Sequence, residues 1–173
     1  MPTRLPLVPS DDPILRKVAA RVSDPKQVED LAADLFVTMQ AEGGVGLAAP
    51  QVGKSVRLFV TSAGGGPAAF INPEIVERSK EKIDWEEGCL SLPRMLVDVR
   101  RPKRVTLRAQ TLDGQTATIE ADDLLARVIQ HEIDHLDGIL FPDRMDDLSK
   151  LRKISQEEWD SRFNAAELRD AEM

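Results

Sequence analysis

A chain of 173 residues fits one domain, since domains commonly run to roughly 100–200 residues, and at that size folding buries about 70% of the surface the unfolded chain would expose. Apolar residues at 42% and charged residues at 31% are ordinary for a globular protein, and with five Phe, two Trp and no Tyr the core must lean on Leu, Ile, Val and Ala. A formal net charge of −7 repels phosphate backbones and argues against specific nucleic-acid binding, while no apolar run approaches the roughly 20 residues that span a bilayer.

The N-terminal segment from Met1 to Ser10 carries Pro2, Pro6 and Pro9 and no continuous apolar stretch, unlike a signal peptide. Together with a single cysteine, Cys89, which excludes an intramolecular disulfide, it favours a reducing cytoplasm. Pro13 to Val22 reads as an extended lead-in. Asp24-Pro25 is a helix start, and Val28, Leu31, Ala32, Leu35 and Met39 recur at helical spacing until Gly43-Gly44. A loop of small residues follows from Gly44 to Gly53, then a strand over 56–61 and a turn at Gly64-Gly65-Gly66-Pro67.

Ile75 to Glu86 alternates loosely as one or two strands. Further strands are expected over 97–99, 105–109 and 117–119, the last two joined by a hairpin at Asp113-Gly114. A second helix starts near Asp122-Asp123, runs through Leu136 and stops at Gly138. A third begins near Ser155, where Ser155 and Glu158 match a capping box. Strands and helices without a βαβ rhythm point to an α+β fold, with short antiparallel sheets around the second helix. Residues 1–173 form one catalytic domain in this reading, with the C-terminal helix, about 150–170, as an appendage.

That second helix carries His131-Glu132-Ile133-Asp134-His135, an H-E-x-x-H motif. Positions i and i+4 lie about 40° apart on one helix face, so both imidazoles can reach one ion. Glu132 is one residue round, placed to bind a water rather than the metal. Both histidines of the chain are in the motif, and Cys89 is the only cysteine. Catalytic zinc-type sites use three protein ligands and keep a fourth position for water. Alone, Cys89 reads as readily as a buried structural cysteine; beside the histidine pair it is the candidate third ligand.

Gly44-Val-Gly-Leu-Ala-Ala-Pro-Gln51, Glu87-Gly-Cys-Leu-Ser91 and Gln130-His-Glu-Ile-Asp-His-Leu-Asp-Gly138 resemble, in order and spacing, the three signature motifs of the peptide deformylases. The resemblance runs from about Pro13 to Leu151. It implies removal of the formyl group from N-formylmethionyl peptides, with Glu132 as general base and then acid. It also implies that the Gln51 side chain and the Leu90 backbone N–H stabilise the oxyanion, and that Fe²⁺ is the working metal, with Zn²⁺, Ni²⁺ or Co²⁺ able to replace it. An apolar slot for the methionine side chain is expected from Val45, Trp85, Leu124 and Val128, with Gly44 and Gly46 letting the substrate backbone approach. Glu87 can pair with Arg101, a pair of little consequence if exposed. Many relatives have an arginine where Leu96 stands, which puts one substrate contact in doubt. Bacterial relatives can dock the ribosome through a basic C-terminal helix. Here 150–173 has five basic and six acidic residues, which favours a solvated helix and leaves at most a transient ribosome contact. The competing readings are an H-E-x-x-H metallopeptidase and an inactive relative.

Overall fold

A computed structural model describes residues 1–162. Within them two α-helices, α1 (Glu29–Ala41) and α2 (Asp123–Leu136), lie among eight strands, and a further helix begins at 156. The strands are β1 (Gly46–Ala48), β2 (Leu58–Thr61), β3 (Ala68–Arg78), β4 (Lys82–Cys89), β5 (Leu92–Pro102), β6 (Arg104–Gln110), β7 (Thr116–Asp122) and β8 (Arg152–Lys153). They form two antiparallel sheets, one ordered β1-β2-β3-β6-β7 and one ordered β4-β5-β8. The α+β expectation is met.

Alternation along β2 shows how the large sheet is covered. Phe59 points to the side where Ala126, Ile129, Ile133 and Leu136 of α2 pack with Phe70, Val105 and Leu107. Its neighbours Leu58 and Val60 point the other way, into a core with Ala32, Leu35 and Met39 of α1. The sheet therefore lies between the two helices, as a strand period of two requires when both faces are buried. On another side, α2 meets the small sheet, where Arg127 donates to the carbonyl of Val99 in β5.

Several local expectations shift. The lead-in is not extended throughout: Asp12 accepts from the Ile14 N–H and starts a 3-10 turn over Pro13–Arg16. Asp24 does the same for a 3-10 turn at Pro25–Val28 before α1 proper. The glycine-rich segment is more than a loop. It contains β1, whose Leu47 pairs with Val60, and a 3-10 turn over Ala49–Val52. The uncertain 75–86 stretch falls in two strands that reverse at 79–81, and β5, β6 and β7 outrun their apolar centres because their ends are polar but still paired. The Asp113-Gly114 hairpin is present, with Gly114 at φ +82°. Ser155 caps its helix by accepting from the Glu158 N–H at 3.1 Å, but the Glu158 carboxylate turns to Arg162 rather than back. The predicted helix beyond 162 lies outside the described residues.

Candidate metal centre and active site

The carboxylate-rich start and apolar repeat of α2 bury almost all of it from Ala126 to Leu136. His131 and His135 thus sit one turn apart on a face turned inward. Cys89 closes β4 after a bulge between Glu87 and Cys89, and the strand's last residues are thereby re-aimed toward α2. One ligand atom from each of Cys89, His131 and His135 lies within 4.8 Å of the others. Cys89 Sγ stands 3.2 Å from His135 Nε2. His131 Nδ1 is 3.1 Å from Glu87 Oε1, a carboxylate contact that orients the ring and leaves Nε2 for a ligand role.

Behind this cluster lies a buried ionic network. Glu87 receives Arg101 Nε at 3.0 Å, and Arg101 Nη1 donates to Asp134 at 2.8 Å. Asp134 is also held by Arg144 at 2.6 Å, and Arg127 lies 3.4 Å from Glu87. The Glu87–Arg101 pair is therefore buried on both sides, at 4% and 5% side-chain exposure, so the low value of an exposed pair does not apply. Burial pushes the Glu87 carboxyl up, but His131 and then Arg101 outweigh it and hold the group at about 2.

Electrostatics within the cluster follow the same logic. Burial pushes the Cys89 thiol up, yet the two imidazoles outweigh it and hold the thiol well below its ordinary range. Burial pushes His131 down, and Cys89 with Glu87 overcomes that, raising it well above an ordinary histidine. These shifts favour the anionic forms of Cys89 and Glu87 and the protonated form of the His131 ring between them. A thiolate and two imidazoles, with a carboxylate behind one ring, fit a divalent transition ion with a coordination position to spare.

Glu132 is 4% exposed, and its Oε2 has no hydrogen-bond partner. Burial is the main reason its carboxyl is pushed up to about 7; the histidines oppose this, and Cys89 and Glu87 add to it. An unpartnered carboxylate poised near neutrality beside the cluster can exchange a proton. Gln51 is buried, its Oε1 accepting from the Ala48 N–H at 2.9 Å and its Nε2 donating to Ser91 Oγ at 3.0 Å, with Cys89 Sγ 3.7 Å away. The amide thus does cap its own loop, and its N–H₂ group still faces the cysteine.

A cavity of about 180 Å³ opens on the cluster, lined by Gly44, Val45, Gly46, Gln51, Leu90, Leu124, Val128, His131 and Glu132 together with Glu86, Glu87, Gly88, Cys89 and Arg127. His135 lies deeper, at 1% exposure. Trp85 is not in the lining. The spacing that put it on the side of Cys89 assumed a regular strand, and the bulge breaks that phase. Trp85 is 41% exposed and instead carries the Arg127 guanidinium 5.9 Å from its ring centre. Leu96 is buried with Ile154 and Trp159, which removes it from the cavity. Arg127, Ser91 and Asp134 were not foreseen. Asp134 could have been, since it occupies a variable position of the H-E-x-x-H motif on an inward turn, and Arg127 is one turn before His131.

An H-E-x-x-H helix packed on antiparallel sheet, with a cysteine brought to the histidines, is the arrangement of a metal-dependent hydrolase. Residues 4–151 match the polypeptide deformylase family. A peptide deformylase of Dictyoglomus thermophilum is 51% identical over 134 residues, 77% of this chain and 87% of that protein. The crystal structure of a peptide deformylase from Thermotoga maritima superposes with a TM-score of 0.81 at 42% identity, over 83% of this chain and 99% of that one. A class I type b peptide deformylase from Acinetobacter baumannii with Met-Ala-Ser bound gives 0.80 at 35% identity, over 84% and 100%. The chain belongs to the polypeptide deformylase family. It is a hydrolase, metal-dependent as the family is, and the metallopeptidase alternative is not favoured.

Proposed function

We propose that the chain removes the formyl group from N-formylmethionine at the start of newly made polypeptides, releasing formate, and that Cys89, His131 and His135 hold the ion that makes this possible. One observation carries the residue assignment: three ligand atoms within 4.8 Å of one another at the end of an apolar-walled cavity, with the free oxygen of Glu132 beside them. A divalent ion held there supplies Lewis acidity, acidifying a water and polarising a carbonyl.

The chain's own groups do the rest. Glu132 takes a proton from the attacking water as its oxygen bonds to the formyl carbon, then delivers that proton to the amine nitrogen as the C–N bond breaks. The Gln51 Nε2 and the Leu90 N–H serve as donors to the developing oxyanion in this reading, each worth about 3–4 kcal/mol in such sites. Reaching the oxyanion requires Gln51 to give up or share its hydrogen bond to Ser91. Val45, Leu124 and Val128 receive the methionine side chain. β1 is an edge strand of the large sheet, and Gly44 and Gly46 leave room for the substrate backbone to pair with it.

Fe²⁺ is the native ion in this reading, with Zn²⁺, Ni²⁺ or Co²⁺ as replacements, although thiolate and imidazole donors by themselves suit zinc. The substrate is made in the cytoplasm, and that is where we place the enzyme; no helix among the described residues is long and apolar enough to cross a membrane. A transient ribosome contact is the least supported partner, because Arg152 and Arg162 are both engaged by Glu86. The test is formate release from formyl-Met-Ala-Ser by protein prepared anaerobically with Fe²⁺, beside Glu132→Ala. Release that needs Glu132 supports the reading; no release from folded, metal-loaded protein sinks it.

A further inference from the structure

A second concavity, about 380 Å³, lies on another face of α2 and is bounded by β3, β4 and β5. Five cations, Arg78, Lys82, Arg100, Arg101 and Arg144, line it against two carboxylates, Asp134 and Asp137. Both carboxylates are already engaged: Asp134 by Arg101 at 2.8 Å and Arg144 at 2.6 Å, Asp137 by Arg57 at 2.9 Å. Arg78 and Lys82 are exposed and make no ion pair among the described residues, and Arg100 reaches only an exposed Asp84 at 3.7 Å. Arg101, 4% exposed, keeps its Nη2 without a hydrogen-bond partner. Arg101 and Arg144 serve the buried network, but Arg78, Lys82 and the weakly paired Arg100 leave the groove an excess of positive charge on a chain of net charge −7, and like charges so gathered repel.

From this groove we infer a binding site for a small phosphate group, as free phosphate or as the phosphate of a small ester. Several arginines with planar, forked donors match the many acceptor oxygens of phosphate better than a single carboxylate does. The limited volume and the acidic remainder of the surface favour a small anion over an extended polyanion. The exposed Arg78, Lys82 and Arg100 offer the accessible donors, so a bound phosphate leaves the buried Arg101 contacts to Glu87 and Asp134 in place. Turnover of a formylated peptide is then unaffected, and the inference does not depend on the hydrolytic reading.

Calorimetric titration of the metal-loaded enzyme with inorganic phosphate, adenosine monophosphate and a short single-stranded RNA, at constant ionic strength, tests it. The variants are Arg78→Ala/Lys82→Ala and a control, Lys26→Ala/Lys54→Ala, which makes the same charge change at exposed positions outside the groove. Saturable phosphate binding is expected, weakened about tenfold or more in the groove variant and unchanged in the control, with formyl-peptide turnover the same in all three proteins. Tighter binding of the monophosphate identifies an ester as the source, and equal or weaker binding identifies free phosphate. No saturation, equal weakening in the control, inhibition by phosphate competitive with the formyl peptide, or binding of the RNA alone overturns the inference.

Discussion

Glu132 is held between two demands. Its carboxylate must be ionised to accept a proton, yet burial raises it to about 7 in the metal-free protein. Glu132→Gln keeps the shape and removes the base, so kcat for formyl-Met-Ala-Ser should fall by about 10²–10⁴-fold while metal content, read by elemental analysis, is retained. The same substitution has a stability signature. A carboxyl whose folded value lies above its ordinary 4.5 contributes stability that is present below pH 4.5 and lost as pH rises through about 7. Metal-free Glu132→Gln should therefore match the parent below that window and exceed it above pH 7, by up to about 3 kcal/mol. Thermal melts of both proteins across pH 4–8 decide; parallel curves would remove the burial argument. Glu87 acts one step further back, through the His131 ring. Glu87→Gln should weaken metal binding by about 10–100-fold, measured by competition with a chelator, and an unchanged affinity would make the Glu87–Arg101–Asp134 network purely structural.

At the scale of elements, the sequence was most readable where spacing alone decides. The periodic apolar residues and glycine stop marked α1, the H-E-x-x-H spacing placed two imidazoles on one face of α2, and Asp113-Gly114 marked its hairpin. It was least readable where pairing across the chain decides. β1 is only three residues, Gly46, Leu47 and Ala48, whose strand character comes from β2 alone, and the bulge that ejects Trp85 depends on Glu87 and Cys89 facing Val97 and Leu92 across β5. Nothing local in the sequence says that carbonyls and carboxylates from other elements will enclose Arg127 and Arg101. β1 also carries a steric requirement: a Cβ on Gly46 would stand 2.6 Å from Glu132 Oε1 and 2.8 Å from Val128 Cγ1, whereas one on Gly44 meets the movable end of Leu90 at 2.9 Å. Gly46→Ala should displace Glu132 and cut kcat by about 10²-fold, and Gly44→Ala should do much less. Equal kinetics for the two variants would show that the strand yields as a whole.

For the molecule as a whole, the ligand cluster joins two bodies of structure. Cys89 comes from β4 of the small sheet, and both histidines come from α2, which packs on the large one. An ion bound there closes a long loop in the native state and has no comparable site in the unfolded chain. Binding to the folded form alone stabilises by about 4 kcal/mol at a free metal level 1,000 times Kd. Stripping the ion should therefore lower Tm by several degrees and loosen the contact between the sheets first. The charge state of the metal-free cluster adds a sign. His131 is held protonated well above its ordinary range by Cys89 and Glu87, so taking up a metal must expel that proton. Affinity should then rise with pH, by about tenfold per unit while one proton is released, and the gap in Tm between metal-loaded and metal-free protein should widen from pH 6 to pH 8. Chelator competition at the two values, with proton release followed in a weak buffer, measures both. An affinity flat across that range would mean that His131 is already neutral and that the Cys89 thiolate alone holds the charge of the site.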